Sequence, residues 1–162
     1  MPGFTAETTA HPFWDALQTG ADGRVEDAVL LARWRPYLRR MLLRVGGDSF
    51  LALWLDEHVE AEVDAGWKRW PSEGLWRHSL AMNLCMNAVR ALVPDAASLG
   101  CCPLPPASAP LRRALARAGL ADANTRGERP LILSRRYSTL TFYPFRGACP
   151  CCALRNDCPK AL

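Results

Sequence analysis

Cys149, Cys152 and Cys158 stand at the spacing Cys-x2-Cys-x5-Cys within Arg146-Gly147-Ala148-Cys149-Pro150-Cys151-Cys152-Ala153-Leu154-Arg155-Asn156-Asp157-Cys158-Pro159. Two intervening residues form a turn that points Cys149 and Cys152 into one concavity. Backbone N–H groups of such a turn can hydrogen-bond thiolate or sulfide and offset its charge. A five-residue return then brings back a third ligand, so the chemistry implied is capture of an iron-sulfur cluster or a soft metal ion. A [4Fe-4S] cluster takes four thiolates, and the chain must supply one more or leave an iron open. Cys102 is the first choice, because it lies in an irregular segment before Pro103 that the following helix and strand can carry beside the terminal loop. Cys101 is nearly equivalent. Cys151 is local but adjacent to Cys152 and so points differently, and Cys85 falls on the apolar stripe of a helix and reads as core. The expected site is therefore Cys102, Cys149, Cys152 and Cys158. Structural zinc, which also uses four cysteines, is the alternative cofactor. The vicinal pairs Cys101-Cys102 and Cys151-Cys152 support a third reading, a thiol-based metal or redox sensor.

The loop resembles the iron-sulfur loop of the endonuclease III and adenine-glycosylase family, Cys-x6-Cys-x2-Cys-x5-Cys. It also resembles that of the molybdenum-handling NifQ family, Cys-x4-Cys-x2-Cys-x5-Cys. Pro159 after the last cysteine is similar to the end of bacterial ferredoxin runs, where it turns the chain away from the cluster. These resemblances span about fifteen residues and imply a [4Fe-4S] cluster on Cys149, Cys152 and Cys158. The family's first ligand would fall on Phe142 or Pro144, so the fourth thiolate is not local. No helix-hairpin-helix sequence of the repair glycosylases is present, and that activity is not implied. Ferric-siderophore reductases carry Cys-Cys-x10-Cys-x2-Cys, which Cys151-Cys152 followed by Cys158 does not match.

Other groups are explained more simply. His58 and Glu62, four apart on a helix with Glu57 and Glu60 nearby, could share a metal, but a solvated acidic face accounts for them. His78, Met82 and Cys85 are near one another on the next helix, where packing explains the last two. Arg112, Arg113, Arg117, Arg135, Arg136 and Arg146 with Tyr137 and Tyr143 could form a nucleic-acid surface, though a docking or solvated face is the simpler reading. His11, Trp67 and Trp70 give no signal. Gly-rich phosphate loops and catalytic-serine elbows are lacking.

The elements expected to position the loop are mostly helical. Pro12 and Gly20 frame a short helix from about Phe13 to Thr19. Asp22 can cap a segment from about Arg24 to Val45, with apolar Val25, Val29, Trp34, Leu38, Leu42 and Val45, kinked or split at Pro36. Gly46-Gly47 ends it, and Asp48 is placed to cap a third helix in which Leu51, Leu55, Val59, Val63 and Trp67 recur every four residues. Pro71-Ser72 opens a fourth, with Leu75, Met82, Cys85, Met86, Val89 and Leu92 as its buried stripe. After a Pro- and Cys-rich linker comes a basic helix, Leu111 to Leu120, then a β-rich stretch, Pro130 to Phe145. There Tyr137, Thr139, Thr141 and Tyr143 share one parity, as in a strand or small hairpin packed on the helices. The fold class expected is mainly α: a helical bundle of four to five helices with a short C-terminal β segment and the cysteine loop. Residues 1–98 form the helical core and 99–162 the linker, basic helix, β segment and loop, in one compact unit.

At 162 residues, 49% hydrophobic and 22% charged, the chain is too apolar for disorder, and its unbroken apolar runs are too short to span a bilayer. Seven cysteines, an odd number bunched near the end, suit metal ligation better than a disulfide framework. Met1-Pro2-Gly3-Phe4 shows no basic segment followed by an apolar stretch, so no secretory signal is read and a reducing cytoplasm is expected. Residues 1–98 hold ten basic against thirteen acidic side chains and residues 99–162 ten against three, giving net charges of −3 and +7. The basic half is expected to dock an acidic protein redox partner. Nucleic acid is the less favoured partner and no membrane partner is expected. The function expected is a redox, electron-transfer or cluster-dependent accessory role. Its rival is a zinc-stabilised nucleic-acid or protein binding module.

Overall fold

Gly46 and Gly47 form a two-residue loop in which Gly46 takes a φ of +61°, a conformation suited to tight hairpins and rarely adopted by residues with a β-carbon. Val45 pairs with Asp48 across it, and the hairpin continues in antiparallel register to Leu38 opposite Leu55. In this computed structural model, residues 4–5, 25–93, 104–120, 131, 133–146 and 149–158 are described. Their elements are β1 (Phe4–Thr5), α1 (Val25–Trp34), β2 (Leu38–Val45), β3 (Asp48–Leu55), α2 (Glu57–Arg69), α3 (Pro71–Leu92), α4 (Ala109–Arg117) and β4 (Ser138–Phe142). The three main strands form an antiparallel sheet in the order β2, β3, β4, and β1 adds two residues at the β2 edge.

The mainly α expectation is thus overturned: the described residues form a mixed α/β fold with a sheet at its centre. Residues 38–55, expected to be helical on both sides of the glycines, are a β-hairpin. A spacing of four is also a multiple of two, so Leu51 and Leu55 share a strand face as readily as a helix face. All of Phe50–Leu55 is buried, because helices or loop segments cover both sheet faces, and such a doubly covered strand loses its alternating signature. Pro36 does break the preceding helix: α1 ends at Trp34, and a single 3-10 turn, Arg35–Tyr37, leads into β2. Asp48 is the first residue of β3, not a helix cap. The capping role falls to Asp56, whose carboxylate accepts the His58 N–H at 2.9 Å and opens α2.

Two cores lie on opposite faces of the sheet. Leu38, Leu51, Leu53, Leu55 and Tyr137 meet α1, α2 and α3 through Leu30, Trp34, Val59, Val63, Leu80 and Leu84. On the other face Met41, Leu43, Phe50, Ala52, Trp54, Leu140 and Phe142 meet Leu111 and Leu115 of α4, together with Leu120. Pro71 opens α3 as expected, but the buried stripe of that helix is Leu80, Ala81, Leu84, Cys85, Ala88 and Val89. Leu75, Met82 and Met86 face outward, as do Val29 on α1 and Trp67 on α2. The expected basic helix is α4, capped by Ser108, whose hydroxyl accepts the Leu111 N–H. Within the β-rich stretch, Ser138–Phe142 is a strand hydrogen-bonded to β3. The helix expected at Phe13–Thr19 and the Asp22 cap lie outside the described residues.

Candidate metal centre

Beyond β4 the chain is pinned at the hairpin tip. The Tyr143 N–H donates to the Ser49 carbonyl at 3.0 Å, and Arg146 pairs with Asp48 while its guanidinium lies 5.1 Å from the Phe142 ring centre. From there the cysteine loop begins with a 3-10 turn, Cys149–Cys151. The Cys152 N–H donates to the Cys149 carbonyl at 3.1 Å, so these two cysteines are joined through one turn, as their spacing requires. Further turns, Arg155 N–H to the Cys152 carbonyl and Asp157 N–H to the Leu154 carbonyl, lead to Cys158.

The loop is clasped to the segment before α4. Leu104 donates its N–H to Cys152 Sγ at 3.4 Å, and its carbonyl accepts the Ala153 N–H at 2.8 Å. In Pro103-Leu104-Pro105-Pro106 the prolines have no N–H, so Leu104 is the one backbone donor of that run, and it is directed at a sulfur. This proline pattern was the available sequence signal for a residue that motif reading overlooks. Cys151 points elsewhere: its Sγ donates to the Arg146 carbonyl at 3.5 Å, and it packs against the core on the α4 face. Asp48, Phe142, Arg146, Ser108, Cys151 and Cys152 help to line a groove of about 490 Å³ beside the loop.

Cys149, Cys151, Cys152 and Cys158 are half-buried thiols outside any disulfide. Among the described residues no three Cys, His, Asp or Glu side chains converge into a metal-holding group. Cys101 and Cys102 lie outside the described residues. Cys85 is buried in the other core, on the far side of the sheet, and burial pushes its thiol up to about 12.

Several of the remaining candidates are paired within the fold, whereas Arg113, Arg117 and Tyr143 are exposed. Glu62 accepts Trp34 Nε1 at 2.9 Å and pairs with Arg33, while its second oxygen meets His58 Nε2 at 3.0 Å. His58 in turn stacks on Tyr37, so this group joins α1 to α2. His78 Nδ1 lies 2.8 Å from the Tyr137 hydroxyl. Arg135 pairs with Glu57, the Arg136 N–H donates to Glu60, and the Arg136 guanidinium grips Asp64. The acidic face of α2 is therefore covered in part by arginines from the basic half of the same chain. Tyr137 is 2% exposed and presents no stacking face to a nucleic acid.

Compared with known protein families, with curated proteins and with solved structures, this chain matches none. Among the described residues no helix is long and apolar enough to cross a membrane.

Proposed function

We propose that the carboxy-terminal loop binds an iron-sulfur cluster, [4Fe-4S], through Cys149, Cys152, Cys158 and Cys102, and that the protein has a redox, electron-transfer or cluster-dependent accessory role. The observation that carries this reading is the Leu104 N–H directed at Cys152 Sγ. An N–H to sulfur hydrogen bond stabilises a thiolate ligand and tunes a cluster bound to it. Leu104 also stands two residues after Cys102, and two residues span at most about 7 Å of chain. The clasp that holds Cys152 therefore belongs to the same short segment as the proposed fourth ligand. Ligand convergence would accompany metal uptake, as is usual where binding and local folding are coupled. Cys151, already engaged with the Arg146 carbonyl, is left out of the set. When bound, the cluster would supply one-electron chemistry, while Leu104 and the half-buried loop would set its surroundings.

The test is an absorption spectrum of protein purified without oxygen, with iron, acid-labile sulfide and zinc counted on the same sample. The expected result is a broad band at about 400 nm that bleaches on reduction, with about four irons per chain. Cys158→Ser should lose most of that iron and Cys85→Ser should keep it. A colourless protein with about one tightly held zinc would replace the cluster with a structural clip.

A further inference from the structure

The outward face of α3 and the α2–α3 turn carry a ridge of exposed apolar side chains bordered by cations, and no described residue is seen to cover them. Leu75, Ser79, Met82 and Met86 follow one another at four, three and four residues and so line up along one side of the helix. Leu75, Met82 and Met86 are 57%, 48% and 43% exposed, and at the turn Trp70 and Trp67 are 66% and 43% exposed. Lys68, Arg69 and Arg90 are exposed at the two ends of this ridge. The acid at its base, Glu73, is held by Arg77 at 2.6 Å and approached by Arg69 at 3.7 Å. Asp64, one turn back on α2, is taken by Arg136. The ridge thus presents apolar side chains and net positive charge together.

We propose that this ridge seats the protein on an anionic phospholipid surface, with Trp70, Leu75, Met82 and Met86 entering the headgroup region and Trp67, packed on Gly74, at its border. Charge selects this occupant over a second copy of the chain. An antiparallel pairing of two α3 ridges about their midpoint would bring Arg90 of one copy against Lys68 and Arg69 of the other. Shape separates it from a protein: a single convex helix with a tryptophan turn needs a matching groove in a folded partner, whereas a fluid interface deforms around it. Indoles settle at the boundary between headgroups and acyl chains, and flanking Lys and Arg meet anionic headgroups. Such seating lies along the surface and requires no spanning segment, and it departs from the sequence expectation of no membrane partner.

Flotation of the full chain with vesicles tests this. Equimolar phosphatidylglycerol and phosphatidylcholine should carry the protein, pure phosphatidylcholine should carry far less, and added salt should release it. Lys68→Gln with Arg69→Gln and Arg90→Gln should weaken binding about a hundredfold, each cation contributing several-fold at a charged surface. Trp70→Ser with Leu75→Ser and Met82→Ser should weaken it at least tenfold. These positions are exposed, so unchanged unfolding midpoints would show that the fold is intact. The proposal is overturned if the wild-type protein stays with the soluble fraction, or if neither triple variant reduces flotation. It is also overturned if light scattering finds a dimer that Met82→Glu dissociates, or if polyglutamate binds as tightly as vesicles and the apolar triple variant leaves that binding unchanged. Flotation reads lipid binding whatever the metal content, so its result is separate from that of the cluster.

Discussion

Arg136 holds Asp64, 72 residues earlier in the chain, with two prongs: Nη1 lies 2.7 Å from Oδ1 and Nη2 3.3 Å from Oδ2. The same arginine lies 6.0 Å from the Tyr137 ring centre, and its backbone N–H donates to Glu60. One residue thus fastens the segment before β4 to the acidic face of α2. Both side chains are nearly half exposed, so solvent screens the pair. Arg136→Ala should cost about 0.5–1 kcal/mol in urea unfolding at low salt, with much of the difference gone at high salt. An unchanged midpoint at low salt would show that the pair contributes nothing.

Acid should loosen the helical side of the molecule. The hydrogen bond from Arg136 holds the Asp64 carboxyl below its usual range. Burial works against ionisation of Glu62, but the hydrogen bonds from Trp34 and Arg33 and the charges of Arg33 and His58 outweigh it. Both carboxyls titrate lower in the folded state than in the unfolded one. Their contribution is complete above the unfolded carboxylate range and is lost as pH falls below about 4 through the folded values. The unfolding midpoint should therefore drop over that interval, less steeply in Glu62→Gln combined with Asp64→Asn.

Gly74 lies where α3 crosses α2, and a methyl group there would overlap the indole of Trp67 at Cγ and Cδ2, atoms near the ring's attachment to the backbone. Gly74→Ala should destabilise by about 1–3 kcal/mol through overpacking, despite the better helix propensity of alanine. Gly66→Ala should cost less, because the closest approach there is 2.8 Å, to Arg77 Cδ, and the overlap at Gly74 is deeper. Equal effects in denaturant titration would contradict this difference.

Trp76 Nε1 donates to Oδ1 of Asp27, a residue only 2% exposed, at 2.6 Å. Trp76→Phe removes the donor and should destabilise by about 1–3 kcal/mol, measured as a lower unfolding midpoint with little change in slope.

Cys85 should resist alkylation in the native protein at mildly alkaline pH, because burial raises its pKa and shields it. Metal-free protein treated with iodoacetamide should carry label on the half-buried Cys149, Cys151, Cys152 and Cys158 first, and on Cys85 only after unfolding. Mass spectrometry of the digested chain reads this order directly. Early labelling of Cys85 would contradict the packing described for α3.

The local sequence already carried the features that rest on one residue type: Pro36 ending α1, Pro71 opening α3, the close turn from Cys149 to Cys152, and the burial of Cys85. It also held the Gly46-Gly47 hairpin signal, which a four-residue spacing of leucines obscured because that spacing fits both a helix face and a strand face. Long-range packing settled the rest. Covering the sheet on both faces made Phe50–Leu55 a strand, and packing against α1, α2 and the sheet selected which side of α3 is buried. Docking of Arg135 and Arg136 on α2 gave the separated charges of the two halves partners within one chain. The clasp of Leu104 on Cys152 needs both ends of a 48-residue separation in one place, and only the sheet and α4 between them bring that about.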